Sequence, residues 1–292
     1  MRPSVGSIIA YALIALILTF LYAPVSFAKE NIRLQLAFES VRLPEVEKAL
    51  AELKTPCYTV KEFSPEWSRV VTEFFILCQA LHIGGLDPIF EFKAYPSYPR
   101  ILKQVRDGKI LAGGSTFWNR EGDPDLFYKT EEVLRVGEVE LAIFTRPEHA
   151  ALLKVRTLAE LQKFTAVSSE NWVVDWETLG DMGIKRFHAT SGAQMFDMVQ
   201  NKRADFTLDA LSTLPDMSRV VNGVRLVPVP NIKVGLRGAR SFLISKQFPE
   251  SKKIYEALQI GLKDLRAKKQ IKVRFVETGF YNPMAKDWHK LY

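Results

Sequence analysis

Short apolar strands and amphipathic helices alternate along this chain in two series, and this alternation constrains its fold more than any other feature. One series precedes Pro147, and the other runs from about Phe164 to Val229. Such alternation predicts an α/β architecture with mostly parallel sheets flanked by helices. The chain has 292 residues, enough for two lobes of roughly 100–150 residues each. A strand at 241–245 and a long helix at 249–268 could close either series, so the alternation leaves the lobe order open.

A glycine pair ends the short apolar strand that starts at Ile110, and the loop after it carries the most chemistry. Glycines let the backbone turn and let another molecule approach it closely. In open α/β sheets, ligands bind just beyond the carboxyl ends of strands. A tight turn with a surface arginine explains the same pattern, because a lone glycine pair is a weak signal. The candidate ligand-binding residues here are Gly114, Ser115, Thr116, Trp118 and Arg120.

Residues 1–28 have the pattern of a secretory signal peptide. Arg2 is their only charge, an apolar run covers Ile8–Ala23, and the small residues Ser26 and Ala28 precede the predicted cleavage site. We therefore predict a cleaved signal peptide and a periplasmic mature protein. An uncleaved membrane anchor is the alternative, although the run is short for a full span of about 20 apolar residues.

The formal net charge of +7 does not indicate a nucleic-acid-binding protein. Such a protein is expected to carry a clustered basic stripe with interleaved aromatic residues. Here the basic residues are spread out, apart from one group between Lys263 and Arg274 that is typical of a solvated helical face. The charge excess is compatible with an anionic small solute, and we expect no nucleic acid partner.

The residues that usually signal catalysis or metal binding are scattered. No histidine pair has metal-ligand spacing, and the chain has no nucleophile elbow, phosphate-binding loop or dinucleotide fingerprint. We therefore expect no metal, no cofactor and no enzymatic activity. A dehydratase-like enzyme that uses a carboxylate such as Glu170 or Asp209 is the less favoured alternative. The four histidines are His82, His149, His188 and His289.

The two cysteines, Cys57 and Cys78, allow two interpretations. A disulfide is possible because an exported protein folds in an oxidising compartment. Alternatively, Cys78 is a buried apolar thiol on a helix, since it follows Phe74-Phe75-Ile76-Leu77.

Three segments, in this order, resemble the family 3 extracellular solute-binding proteins of polar amino acid ABC transporters. Tyr98–Thr116 resembles the helix, short strand and Gly-Gly-x-Thr turn that precede an arginine in that family. Met195–Asp209 is similar to a second-lobe helix and strand that end in an acidic residue. Phe248–Lys268 resembles the late helix that packs back on the first lobe. The resemblance implies a type II periplasmic-binding fold, in which two α/β lobes joined by two crossing strands close on a ligand.

The same resemblance implies a division of the chain. Residues 29–145 and 236–292 would form lobe 1, and residues 146–235 would form lobe 2. The crossing strands would lie near 138–145 and 231–238. Either 32–38 or 58–63 would supply the first strand of lobe 1, and the sequence leaves that choice open.

The resemblance also implies roles for the candidate site residues. Arg120 would bind a carboxylate, because its planar guanidinium suits bidentate contacts, and Asp209 would bind an amine. A surface arginine and a helix cap are the alternative interpretations. The supporting groups would be hydroxyls and helix-terminal N–H groups at Ser168 and Ser169, and aromatic walls at Trp67, Trp118 and Tyr128.

These features together predict an exported, monomeric protein that captures a small polar solute, amino-acid-like or another carboxylate. A membrane permease of the ABC type would receive the solute. The alternative is a sensory module whose closed form is recognised by a membrane sensor protein.

Overall fold

The computed structural model describes residues 30–212 and 214–292. The predicted signal peptide at 1–28 lies outside the described residues. Within them, no helix combines the length and the apolar composition that crossing a bilayer requires.

The described part of the chain alternates strands and helices in two groups. Its helices are α1 (Leu43–Ala51), α2 (Arg69–Ile83), α3 (Tyr98–Arg106), α4 (Ala150–Leu153), α5 (Leu158–Leu161), α6 (Val173–Asp181), α7 (Gly192–Gln200), α8 (Ser251–Ala267) and α9 (Gln270–Glu277). Its strands are β1 (Glu30–Glu39), β2 (Leu86–Tyr95), β3 (Ala112–Gly113), β4 (Phe117–Trp118), β5 (Phe127–Lys129), β6 (Glu140–Thr145), β7 (Thr165–Ser168), β8 (Lys185–His188), β9 (Phe206–Ala210), β10 (Arg219–Val221), β11 (Val224–Pro228), β12 (Ile232–Gly235), β13 (Arg240–Ser241), β14 (Leu243–Ser245) and β15 (His289–Lys290).

The first sheet has the order β2-β1-β3-β14-β5 and forms the core of what we call lobe 1. β1 runs parallel to β3, whereas β14 runs antiparallel to both β3 and β5. Of the two candidates for the first strand, 32–38 lies in β1, and Cys57–Thr59 forms a short 3-10 helix instead. β13 pairs with β4 beside this sheet, which brings Arg240 opposite Trp118.

The second sheet, the core of lobe 2, runs β10-β11-β6-β9-β7-β8. β7 is parallel to both β8 and β9, but β6 is antiparallel to β9, β11 and β12. Both sheets are therefore mixed, and the parallel pairing that the alternation predicts covers only part of each. Strands joined by short turns, such as β10 and β11, pair antiparallel because a tight hairpin reverses the chain.

Two antiparallel strands, β6 and β12, lie where the resemblance implies the crossing strands. Leu141 lies opposite Val234, and Glu140 opposite Gly235. The division into 29–145 plus 236–292 and 146–235 remains our proposed boundary between the lobes.

The C-terminal helices pack on the first sheet through α2. This helix is buried on every side, as expected for an apolar helix at the centre of a lobe. A Cβ at Gly261 of α8 would lie 1.9 Å from the carbonyl oxygen of Ala80, so only a glycine permits this close helix contact.

Cys57 and Cys78 form a disulfide, with a Cα–Cα distance of 6.2 Å. The bond ties the 3-10 helix at 57–59 to α2, and Cys78 is buried.

Candidate functional site

A buried charge network holds the loop after β3. Glu73 of α2 is fully buried and accepts hydrogen bonds from both the backbone N and the Oγ1 of Thr116, each at 2.9 Å. Arg240 of β13 donates from Nε to Thr116 Oγ1 at 2.9 Å and from Nη2 to the Thr116 carbonyl oxygen. Arg69 donates to Glu73 at 2.7 Å. Thr116 is thus occupied within lobe 1, and its partners fix the backbone of the loop.

The glycine pair serves the packing of the same loop. A Cβ at Gly114 would lie 1.8 Å from the ring of Phe38, and the Gly114 N–H donates to the Ala37 carbonyl at 2.9 Å. Gly114 therefore allows the side chain of Phe38, on β1, to approach the backbone closely.

Arg240 of lobe 1 is a buried cation. Its guanidinium lies 4.4 Å from the centre of the Trp118 ring, a cation–π contact. Burial lowers the pKa of Arg240, and the neighbouring charge of Arg69 lowers it further. Within the described part of the chain no hydrogen-bond acceptor lies on its third nitrogen, Nη1. The two N–H groups of Nη1 are thus left for a further partner.

Two carboxylates of lobe 2, Asp175 and Asp209, have raised pKa values, and the charge of Arg240 acts on the first of them. Burial raises the pKa of Asp175, on α6, to about 7. The negative charge of Asp209 also raises this pKa, whereas the positive charge of Arg240 lowers it. Burial also raises the pKa of Asp209, on β9, and the charge of Arg219 opposes that rise. Asp209 Oδ2 lies 2.8 Å from Arg219 Nε. Two acids and two arginines therefore form a cluster of net charge zero, which we call the interlobe cluster: Asp175, Asp209, Arg219 and Arg240.

α6 contacts lobe 1 directly beside this cluster. Arg120 forms an ion pair with Glu177. The Arg237 N–H donates to Thr178 Oγ1 at 3.3 Å. A Cβ at Gly238 of lobe 1 would lie 3.0 Å from Cγ1 of Val174 on α6. The two lobes are thus in contact along one face of α6.

The structure brings three of the sequence-predicted residues to the region between the lobes. Asp209 belongs to the interlobe cluster, Trp118 stacks on Arg240, and Arg120 lies half exposed at the rim. Ser115 is partly buried and lines a small cavity of lobe 1 beside Glu39.

The buried hydroxyl pair of lobe 2 supports the backbone near the end of β7. The Ser168 carbonyl accepts from the Ala189 N–H at 2.9 Å, and Ser169 Oγ accepts from the Asn171 N–H at 3.3 Å. These contacts hold the turn that leads into α6.

Two predicted aromatic walls pack within lobe 1. Tyr128 stacks on Tyr255 of α8 with ring centres 5.1 Å apart. Trp67 stacks on Phe75 at 4.2 Å and lines a cavity of about 140 Å³ between α1 and the start of α2. The structure does not bring either of them to the interlobe cluster.

Sequence reasoning missed Asp175, Arg219 and Arg240. An acid between Val174 and Trp176 is a weak signal on a helix that also carries Glu177 and Asp181, because exposed helix faces often carry acids. Nothing in the run Gly238-Ala239-Arg240-Ser241 separates a buried arginine from a surface one.

The remaining titratable groups do not assemble a metal site. Among the residues that the structure describes, no three His, Cys, Asp or Glu side chains lie together as metal ligands would. His149, for example, lies 3.1 Å from Asp205 through Nε2 and caps α4 through Nδ1.

No protein-family model and no curated protein matches the chain. Its fold is similar to that of the probable amino-acid ABC transporter extracellular-binding protein ytmK from Bacillus subtilis, with a TM-score of 0.53 and 12% identity over 85% of this chain and 98% of that chain. It is also similar to the periplasmic VFT2 domain of BvgS from Bordetella pertussis, with a TM-score of 0.52 and 14% identity over 83% of this chain and 92% of that one. At such identities the likeness concerns the fold. The chain therefore adopts the two-lobed type II fold of the periplasmic solute-binding proteins.

Proposed function

We propose that this protein is exported to the periplasm and captures a small zwitterionic, amino-acid-like solute between its two lobes. The proposal rests on the contact of α6 with lobe 1 at Glu177 and Thr178, together with the charge interaction between the partly buried Asp175 of α6 and Arg240. An ammonium group held by Asp175 and a carboxylate held by Arg240 would join the lobes through one small molecule.

The charge balance of the interlobe cluster favours a zwitterion over a purely anionic solute. Asp209 already has Arg219 as a partner at 2.8 Å, whereas burial raises the pKa of Asp175 to about 7. A buried carboxylate is stabilised in its charged form by an adjacent cation, which an ammonium group supplies. On the other side, Nη1 of Arg240 offers a donor to a carboxylate.

Trp118 adds an apolar surface beside these charges. Its ring packs against Arg240 and lies close to Gly238, so it limits the width of the site. Ligand sites combine apolar walls with a few well-placed polar groups, and this arrangement meets that description.

Lobe closure would supply the mechanism of capture. Asp175 and Arg240 belong to different lobes, so a solute contacts both only when the lobes are close together. A ligand shifts a conformational equilibrium by its differential affinity for the two states. A solute that bridges the lobes would therefore favour the closed form over the open one.

A thermal-shift screen of amino acids, amines and organic acids tests the proposal at pH 8. We expect a zwitterionic solute to raise the unfolding midpoint by about 5 °C at a hundredfold excess over its Kd. Asp175→Asn should abolish this shift. Asp181→Asn is the matched control, because Asp181 lies at the exposed end of the same helix and should leave the shift intact. Failure of every zwitterion, or an equal loss in both variants, would contradict the proposal.

We infer a membrane permease of the ABC type as the partner that receives the solute. ytmK is described as a probable component of such a transporter, whereas the BvgS structure is described only as a periplasmic VFT2 domain and leaves the alternative of a membrane sensor open. Adjacent genes for a permease and an ATPase would support the first role, and a neighbouring sensor kinase would support the second. Both roles need binding without turnover, so we propose no enzymatic activity and no cofactor. We also propose that the protein is a monomer.

A further inference from the structure

The two C-terminal helices account for most of the net positive charge of this chain. Residues 251–277, which cover α8 and α9, carry eight Lys or Arg residues against three Asp or Glu residues, a net charge of +5, and the whole chain carries +7. No contact of the interlobe cluster uses these helices. Their outer surface is therefore a separate feature of the molecule.

The inner sides of these helices pack on lobe 1, which fixes what the outer sides present. Ile254, Leu258 and Leu262 of α8 are buried, as are Ile271 and Phe275 of α9. On each helix the exposed side combines aliphatic residues with lysines, and we call these exposed residues together the basic face: Ile260, Lys263, Lys269, Lys272, Val273 and Val276. Its aliphatic members are strongly exposed, at 57% for Ile260, 39% for Val273 and 40% for Val276.

The acids of this region are already paired, so the basic face keeps its charge. Asp264 pairs with Lys268 at 2.8 Å. Glu277 pairs with Arg274 at 3.0 Å. Lys263, Lys269 and Lys272 have no carboxylate partner among the described residues, and each is exposed.

We propose that the basic face binds the surface of a membrane that contains anionic lipid. Free lysines interleaved with exposed aliphatic side chains on helices are the pattern of interfacial membrane contacts. Lysine is depleted in protein–protein interfaces, so a protein partner fits this face less well. The lysine ammonium group is a compact charge on a flexible side chain, which suits mobile lipid headgroups. Each lysine adds to the attraction. The aliphatic side chains would enter the headgroup region between the lysines.

Vesicle co-sedimentation of residues 29–292, the predicted mature chain, tests this proposal. Phosphatidylglycerol-containing vesicles are compared with pure phosphatidylcholine vesicles, because an electrostatic contact requires the anionic lipid. The test variant is K263Q/K269Q/K272Q. The control is K54Q/K154Q/K202Q, which removes the same charge from exposed lysines outside the basic face.

We expect the wild type to prefer the anionic vesicles and the preference to weaken with added salt. In the test variant the preference for anionic vesicles should fall at least about tenfold, whereas in the control variant it should stay within about twofold of the wild-type value. Ile260→Gln should weaken anionic-vesicle binding by several fold without altering the unfolding midpoint. Equal binding to both vesicle types, or equal losses in the two triple variants, would overturn the proposal.

Discussion

Arg120 of lobe 1 forms an ion pair with Glu177 of α6, so the two lobes are joined by a charge contact at the rim of the site. The side chains are 50% and 51% exposed, which places the pair largely in water. Exposed ion pairs contribute about 0.2–1 kcal/mol, enough to bias a balance between open and closed lobes but not to fix it. The family resemblance implies that Arg120 binds a ligand carboxylate. In this structure its partner is Glu177, so a ligand carboxylate would compete with Glu177 for the guanidinium.

Charge reversal at this pair should open the lobes. Arg120→Glu places two carboxylates face to face, so we expect a larger radius of gyration by small-angle X-ray scattering without a change in secondary structure. The double variant R120E/E177R restores opposite charges and should return the radius of gyration to the wild-type value. An unchanged radius in R120E, or no recovery in the double variant, would show that the pair does not control closure.

The raised pKa of Asp175 predicts a stability that falls with rising pH. Its pKa is about 7 in the folded protein, against an ordinary value of 3.8. Between these values the folded protein holds a proton that the unfolded chain releases, so the free energy of unfolding decreases from about pH 4 to pH 7. We expect Asp175→Asn to be more stable than the wild type by about 2 kcal/mol at pH 8 and to match it near pH 4.

Urea-induced unfolding at the two pH values measures this difference. Asp181→Asn, which alters an exposed carboxylate of the same helix, should follow the wild type at both. A D175N variant whose stability parallels the wild type across this range would contradict a buried, proton-binding Asp175.

The buried network around Glu73 should be essential for lobe 1. Glu73→Ala leaves Arg69 and both the N–H and the Oγ1 of Thr116 without their acceptor, and losing one partner of a buried pair costs about 3–5 kcal/mol. We expect a loss of this size in the free energy of unfolding by urea titration. Glu66→Ala, which removes an exposed carboxylate just before the same helix, should cost less than about 0.5 kcal/mol. Equal, small effects in both variants would rule out the network as a stabilising element.

The disulfide should stabilise the folded chain through the loop it closes. Cys57 and Cys78 are 21 residues apart, and closing a loop of that length contributes about 3 kcal/mol in the chain-entropy description. We expect the variant C57A/C78A to lose about this much stability and to be insensitive to reductant. Thiol titration of the unreduced, denatured wild type should find no free thiol. Two reactive thiols would contradict the bond.

Much of the fold follows from sequence patterns. The spacing of apolar residues in strands and helices, and the glycines that end these elements, are signals contained in short segments of the chain. The apolar alternation at 32–38 predicts β1, and the helix at 249–268 matches α8 within two residues. The spacing over Leu214–Val221 predicts a helix, but the structure has a hairpin of β10 and β11. Asn222 and Gly223 both have positive φ there, 48° and 81°, so the Asn-Gly dipeptide was the stronger signal.

The candidate site was less predictable, because its residues meet only through tertiary packing. Asp209 lies near the end of a recognisable strand, where it pairs with Arg219, and its role as an amine ligand stays a prediction. Arg240 and Asp175 become neighbours only when β13 pairs with β4 and α6 packs against lobe 1, contacts between segments far apart in sequence. Thr116 follows the glycine pair, as expected of a ligand-binding residue. Its hydroxyl nevertheless donates a hydrogen bond to Glu73, an acid far away in the sequence.

A crystal structure with the solute that gives the largest thermal shift tests the central claim most directly. We predict electron density between the lobes, with an ammonium group in hydrogen-bond contact with Asp175 and a carboxylate in contact with Arg240. Density for the solute at any other place, with Asp175 and Arg240 making no contact to it, would contradict the account.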